Sequence, residues 1–223
     1  QNLFSLHPEN KLFSLRSKTC LYLYPLRKDY NCFLYHDLLP NTRIIIEPLI
    51  PGELIALKYK QGLLVKATSK YRDNILRSIQ NTINIPSNLK VNDIIYILGV
   101  IYKLNPKKIK AYHEIRKYHY DSLNNTTQTS FCAFQILNTD LNQISQLVSL
   151  KALGFCIPPS ENVKVNSYQA ELYLDLIEQR QINNRIFPNK GIVLKVNSRK
   201  LQKQIGNKNS IINWACSVTN RKV

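Results

Sequence analysis

Side chains that could act as nucleophiles, general bases or metal ligands are scattered along this chain of 223 residues. No histidine has a serine, aspartate or cysteine partner at a spacing that indicates a catalytic pair; the histidines are His7, His36, His113 and His119. The five cysteines form no zinc-ligand spacing, and we interpret them as reduced thiols packed as small apolar side chains. No glycine-rich phosphate loop is present. These residue types and spacings by themselves therefore indicate no catalytic pair, no zinc site and no phosphate loop.

The order of the predicted elements indicates an α+β domain of mostly antiparallel sheets flanked by helices. Apolar alternation predicts strands at Leu21–Tyr24, Arg43–Ile46, Glu53–Lys60, Leu63–Thr68, Asp93–Tyr102, Ser130–Leu137 and Gly191–Asn197. Gln61-Gly62 fits a tight hairpin turn. Helices are predicted at Tyr71–Ile83, Pro106–Tyr120, Asn142–Leu153 and Ser167–Gln179. Gly154 fits the end of the third helix. Since no internal repeat or long linker is visible, we expect one compact domain.

The charge balance favours a polyanionic partner, because 31 basic residues outnumber 14 acidic ones and give a net charge of +17. Nucleic acid is the first candidate and an anionic membrane surface the second. The abundance of Ile, Asn, Lys and Tyr offers another explanation, because AT-rich codons encode these residues. Part of the charge would then reflect drift in an AT-rich organelle or endosymbiont genome. We expect an intracellular protein, since no apolar run has the length of a membrane span and no signal peptide is visible.

Six short blocks occur in an order and at distances that match one known family. They are His7 with Leu12 to Leu15, Glu47 to Gly52, Gly62 to Thr68, Ile97 to Tyr102, Leu153 to Ile157, and Lys190 to Ser198 followed by Trp214-Ala215. Together they resemble the adenylation (nucleotidyltransferase) domain of NAD-dependent DNA ligases over nearly the whole chain. The resemblance implies a single adenylation domain at residues 1–223, without OB, zinc-finger, helix-hairpin-helix or BRCT domains.

The groups that carry the family's chemistry are replaced in this chain. The family pattern Glu-x-Lys-x-Asp-Gly contains the lysine that forms a lysyl-AMP, and here Leu49 holds the lysine position and Pro51 the aspartate position. The Arg and Glu of the family's Arg-Gly-Glu block correspond to Leu98 and Val100, and a further aspartate corresponds to Lys190. An amine can be adenylylated and an aliphatic side chain cannot. The resemblance therefore implies a pseudoenzyme with no catalytic residue, no cofactor and no metal.

Some positions of the family's nucleotide pocket are kept. The resemblance implies that Glu47 faces the adenine, that Ser14 and Leu15 line the base pocket, and that Lys195 approaches the AMP phosphate. For Glu47 and Lys195 the alternative is an ordinary ion pair at a strand end or a solvated charge.

Nucleic-acid binding through a basic surface is the favoured hypothesis, with phosphate contacts that give affinity without sequence readout. The candidate contacts are Lys103, Lys107, Lys108, Lys110, Arg116, Lys117, Arg199, Lys200, Lys203, Lys208, Arg221 and Lys222. One alternative is a structural or accessory subunit of a larger ribonucleoprotein, transcription or other organellar assembly. A second alternative is a nucleotide binder that uses the remnant pocket.

Overall fold

The computed structural model describes residues 26–27, 42–69, 72–104, 128–164, 191–208 and 211–219. Strands in these ranges are β1 Leu26–Arg27, β2 Arg43–Pro48, β3 Glu53–Lys60, β4 Leu63–Ser69, β5 Ile95–Lys103, β6 Thr129–Ile136, β7 Glu161–Lys164, β8 Gly191–Val196, β9 Asn207–Lys208 and β10 Ile211–Thr219. The helices are α1 Gln143–Ala152 and α2 Arg199–Ile205, with a 3-10 turn at Leu76–Ile79. Within the described residues the fold is therefore α+β, as the sequence predicts.

The four strands β4-β3-β5-β6 form one sheet, sheet B, in which all neighbours are antiparallel. Its first hairpin turns at Gln61 and Gly62, whose φ angles of 50° and 79° suit the turn that matches strand twist. A Cβ at Gly62 would lie 2.3 Å from the Leu89 carbonyl oxygen, so glycine is needed for space as well as for φ.

The other sheet, sheet A, has the strand order β1-β10-β8-β2-β7, with β9 paired to β10. Its central neighbours are antiparallel, and only the short β1 runs parallel to β10 among the described strands. All of sheet B lies between β2 and β7 in the chain. Sheet A is therefore built from segments that are far apart in sequence.

The main core lies on one face of sheet B. Ile55, Leu57 and Phe131 are buried there against Leu150 of α1 and against Phe155. The opposite face is also apolar, with Leu98, Val100 and Cys132 buried. Strands covered on both faces have no reason to alternate with polar residues, which explains the continuous apolar run of β5. This second face meets residues of sheet A and positions the site described below.

The predicted helix over Tyr71–Ile83 is wrong, because only Leu76–Ile79 is helical and it is a 3-10 turn. The preceding backbone bonds to β4 instead: Ile75 N–H donates to the Ala67 carbonyl at 2.9 Å. Thr68 Oγ1 donates to the Asp73 carbonyl at 2.9 Å. These bonds hold the segment along the strand, and the helical apolar spacing reflects burial of Ile75 and Ile79 in the core.

The other predicted strands and helices agree with the structure within a few residues where they are described. The helix that ends at Ala152 is followed by Leu153 as its C-cap and by Gly154 with φ 90°, as predicted. β7, α2 and β10 were not predicted from the sequence. The predicted elements Leu21–Tyr24, Pro106–Tyr120 and Ser167–Gln179 lie outside the described residues.

Candidate functional site

Pairing of β2 with β8 brings Glu47 and Lys195 together from positions 148 residues apart. The register places Ile45 opposite Lys195 and Glu47 opposite Val193, so the two charged residues are diagonal neighbours on one face. Lys195 Nζ donates to Glu47 Oε2 at 2.5 Å. Both side chains are buried, with relative exposures of 3% for Glu47 and 2% for Lys195. The result is a buried ion pair in the middle of sheet A.

Two further side chains enclose this ion pair. Gln143, the first residue of α1, uses its Nε2 to donate to Glu47 Oε1 at 3.3 Å and to the Phe134 carbonyl at 2.8 Å. The ammonium of Lys195 lies 4.5 Å from the centroid of the Phe134 ring, which suits a cation–π contact. The carboxylate and the ammonium are thus satisfied within the protein. This is the ion-pair alternative for Glu47 and Lys195 stated from the sequence.

A cavity of about 200 Å³ opens beside the pair, between the two sheets. Its lining residues are Glu47, Pro48, Leu49, Ile50, Gly52, Leu54, Val100, Phe134, Pro158, Val193 and Lys195. The only charged side chains of this lining are the two that already pair with each other. The other described lining residues are apolar, glycine or proline, so no uncompensated charge faces the cavity from the described part of its wall.

The positions that correspond to the family's catalytic groups are part of this apolar packing. Leu49 lines the cavity, and its backbone N–H donates to the Gly191 carbonyl at 2.8 Å, which fixes its place beside the start of β8. Val100 also lines the cavity, and Leu98 is buried on the same face of β5. Lys190 lies outside the described residues. None of these three aliphatic side chains can attack a phosphate or bind a metal ion.

Cys132 lies opposite Val100, a residue of the cavity lining, in the register of β5 with β6, and it is buried. Burial raises the pKa of the Cys132 thiol well above its usual value, and a hydrogen bond with Cys156 raises it further. The thiolate is the reactive form, and this environment disfavours it. The Cys132 thiol is therefore a poor nucleophile.

Metal chemistry has no ligand set in the described parts of the chain, where no three His, Cys, Asp or Glu side chains cluster. The same residues include no helix that is long and apolar enough to cross a membrane.

Gly52 and Gly99 mark close backbone approaches near the cavity. A Cβ on Gly52 would lie 2.1 Å from the Ile101 carbonyl oxygen, and one on Gly99 would lie 2.3 Å from the Phe131 ring.

The predicted basic contacts are only partly described. Lys103, Lys200 and Lys203 are exposed, and Lys203 pairs with Asp140 at 2.5 Å. Arg199 is instead buried, and its Nη1 donates to Gln202 Oε1 at 2.9 Å. A guanidinium buried and bonded in this way is poorly placed to contact a phosphate group, and the basic contacts remain a prediction.

The remaining predicted site residues cannot be placed together with these. Lys208 lies in β9, and only its backbone is described. The others lie outside the described residues: Ser14, Leu15, Lys107, Lys108, Lys110, Arg116, Lys117, Arg221 and Lys222.

Sequence reasoning missed Gln143 and Phe134, which surround the Glu47–Lys195 pair. It also missed Arg43 and Lys164, two exposed cations directly opposite each other on β2 and β7. For Gln143 a signal existed, because an uncharged polar residue at a helix start is a candidate partner for a buried charge. No sequence signal links Arg43 to Lys164, because β7 was not predicted. The two residues are also far apart in the chain and become neighbours only through the register of β2 with β7.

Curated relatives place the chain near DNA ligases. A "DNA ligase" of Mycoplasma capricolum subsp. capricolum is 23% identical over 200 residues, which cover 78% of this chain and 30% of the relative. A "DNA ligase" of Mycoplasma genitalium is 25% identical over 197 residues, with the same two coverages. The chain thus spans under a third of the length of these relatives. No protein-family model matches it.

Solved structures share its fold. Pmar-Lig_Pre superposes with a TM-score of 0.55 at 12% identity, over 88% of this chain and 46% of that one. Pmar-Lig_PreS3 superposes with a TM-score of 0.52 at 9% identity, over the same shares. At such identities the likeness concerns the fold alone.

Proposed function

We propose that this chain is a catalytically inactive relative of the NAD-dependent DNA ligase adenylation domain that binds nucleic acid through its basic surface. The observation that carries the first half is the cavity wall. The resemblance puts Leu49 where the family has its nucleophilic lysine, and the described lining of the cavity beside it contains no amine other than that of Lys195, which is paired with Glu47. The second half is supported by the net charge of +17 and by relatives named DNA ligase.

Adenylyl transfer to the protein requires a deprotonated amine that attacks the α-phosphorus of the cofactor while a leaving group departs. It also requires positive charge around the phosphates and carboxylates for a metal ion. Lys195 is the one cation among the described lining residues, and Glu47 already neutralises it at 2.5 Å. Each requirement fails at a different residue, so restoring one of them is not expected to restore the reaction.

Labelled NAD and labelled ATP test the catalytic half. The wild-type chain and a Leu49→Lys variant are incubated with each cofactor and Mg²⁺ or Mn²⁺, beside an active DNA ligase as a positive control. Intact mass then reports any protein-AMP adduct. We expect none in the wild type, and none in Leu49→Lys because Pro51 and Val100 still replace the family's carboxylates. A stable adduct on the wild type would overturn the proposal.

Salt-titrated binding tests the nucleic-acid half. Fluorescence anisotropy with nicked duplex DNA, intact duplex DNA and RNA should give affinities that fall steeply with salt, since phosphate contacts release counterions. Calorimetry with NAD, AMP and ATP should give no heat, because the charged groups of the pocket are already paired. Absent or salt-insensitive nucleic-acid binding would contradict this half.

An accessory-subunit function is the second candidate, and one feature of α1 favours it. Val148 of α1 is 63% exposed, and Leu141, which lies two residues before the helix, is 42% exposed. Large aliphatic side chains exposed in this way suit a protein contact. Purification from the native source as a stoichiometric component of one complex, lost with Val148→Asp, would favour this function.

A further inference from the structure

Two cations face each other at one end of sheet A. β2 and β7 pair antiparallel with Arg43 directly opposite Lys164, and both residues are exposed. Side chains directly opposite in an antiparallel pair have Cβ atoms about 5 Å apart on the same face of the sheet. Like charges at this spacing repel each other in the free protein, so the pair weakens the sheet edge unless an anion lies between them.

The surroundings of this pair contain no compensating acid among the described residues. The four ion pairs of the described chain involve neither Arg43 nor Lys164. Glu161, on the same strand as Lys164, lies three residues away and therefore points to the opposite face. The polar neighbours are Asn162, exposed on the face of Lys164, and Asn197, whose backbone N–H donates to the Arg43 carbonyl.

We propose that Arg43 and Lys164 form a contact for the phosphate backbone of a nucleic acid, named the β2–β7 basic edge. This rests on the proposed nucleic-acid binding and gives it a location. The edge is separate from the cavity, because Arg43 precedes Glu47 by four residues, which is roughly 13 Å along a strand. Among the described residues its polar neighbours are asparagines, and none of the exposed large aliphatic side chains lies on β2 or β7, which suits phosphate contacts better than insertion into a membrane surface.

The test compares two double variants that remove the same charge. Arg43→Gln/Lys164→Gln removes the basic edge, and Lys90→Gln/Lys151→Gln removes two exposed lysines from elsewhere on the described surface. Each is titrated with duplex DNA, with single-stranded RNA and with phosphatidylserine vesicles over a range of salt concentrations. Circular dichroism and thermal melts establish that both variants remain folded.

We expect the edge variant to bind nucleic acid about 10-fold more weakly at moderate salt and the control to lose less than about threefold. The slope of log affinity against log salt should fall by about 1.8 for duplex DNA, or about 1.4 for a single strand, since two phosphate contacts are lost. The nucleic acid that shows this change identifies the source of the phosphate backbone.

Three results would overturn the proposal, and they differ in whether they also contradict the proposed nucleic-acid binding. Equal losses in the two variants would mean that net charge alone matters and that no local contact exists. A wild-type chain that binds only vesicles would replace nucleic acid by a lipid surface. A wild-type chain that binds neither would refute the proposed nucleic-acid function together with this location.

Discussion

The two ends of β2 carry charged side chains that the fold treats in opposite ways. Near the end of the strand, Glu47 is 3% exposed and accepts hydrogen bonds from Lys195 and Gln143. The ring of Phe134 packs against the ammonium group of Lys195. At the start of the strand, Arg43 is exposed opposite another cation, Lys164. Both ends lie on the same face of the same sheet, because Arg43 and Glu47 are separated by an even number of residues.

The difference shows where this molecule can still interact with an anion. At the cavity, Glu47 and Lys195 neutralise each other within the protein. At the edge, Arg43 and Lys164 are exposed, and no acidic side chain of the described residues forms an ion pair with either of them. Under the proposed function, an anionic partner would therefore bind at the edge and not at the cavity.

The largest expected effect comes from breaking the buried pair. Glu47→Ala or Lys195→Ala leaves one buried charge without its partner, and we expect each to lower the free energy of unfolding by about 3–5 kcal/mol. Replacing both, as Glu47→Leu/Lys195→Met, should recover most of that loss because no charge remains buried. Urea denaturation measures all three, and Glu53→Ala, at an exposed ion pair, serves as the control. Single variants as stable as this control would mean that the pair is not structural.

The opposite sign is expected at the edge. Lys164→Gln removes a repulsion, so the free protein should become more stable by a few tenths of a kcal/mol at low salt. At 1 M salt the gain should vanish, since the Debye length there is about 3 Å. Thermal melts at both salt concentrations measure this. A loss of stability at low salt would show that Lys164 has a favourable partner, and the contrast between the two ends would disappear.

The smallest effect is expected at Asp140 and Lys203, a pair of opposite charges that solvent surrounds. The hydrogen bond from Lys203 and its positive charge lower the pKa of Asp140 below its usual value. A lowered folded-state pKa means that the stabilisation is present above the unfolded-state pKa and is lost as pH falls through the folded-state pKa. Because the pair is exposed, Asp140→Asn should leave the melting temperature unchanged within error at neutral pH.

An NMR titration of the Asp140 carboxyl gives the direct measurement for this pair. In Lys203→Gln the pKa of Asp140 should rise back toward its ordinary value, because the largest cause of the shift is gone. An unchanged titration would assign the shift to another neighbour, with Arg199 as the nearest cationic candidate.

Much of the fold is predictable from local sequence patterns. The β3–β4 hairpin was predictable because Gln61-Gly62 separates two β-rich runs, and the structure has the two strands at Glu53–Lys60 and Leu63–Ser69. α1 was predictable from its apolar spacing and its terminal glycine. The helix predicted near Ile75 and Ile79 failed because the same spacing also arises when an irregular segment packs two side chains into a core.

The site was less predictable, because its geometry depends on long-range pairing. Glu47 and Lys195 could be named from the sequence, yet their direct contact depends on the β2–β8 register. The start of α2 is predictable from Ser198, because serine is a preferred N-cap residue. Its Oγ accepts a hydrogen bond from the Leu201 N–H at 3.3 Å. Arg43 and Lys164 became a pair only once β7 was seen as the neighbour of β2.

The strand order of sheet A has a consequence for how the polypeptide acquires its structure during synthesis. β10 lies between β1 and β8, so sheet A lacks one of its interior strands until residues 211–219 have been synthesised. Sheet B uses residues 53–136 only and pairs them mostly as near neighbours, which lowers the loop-closure entropy of its assembly. We expect sheet B to form first on the ribosome, because β2 cannot pair with β8 until β8 has been synthesised. The ion pair between Glu47 and Lys195 therefore forms late in folding.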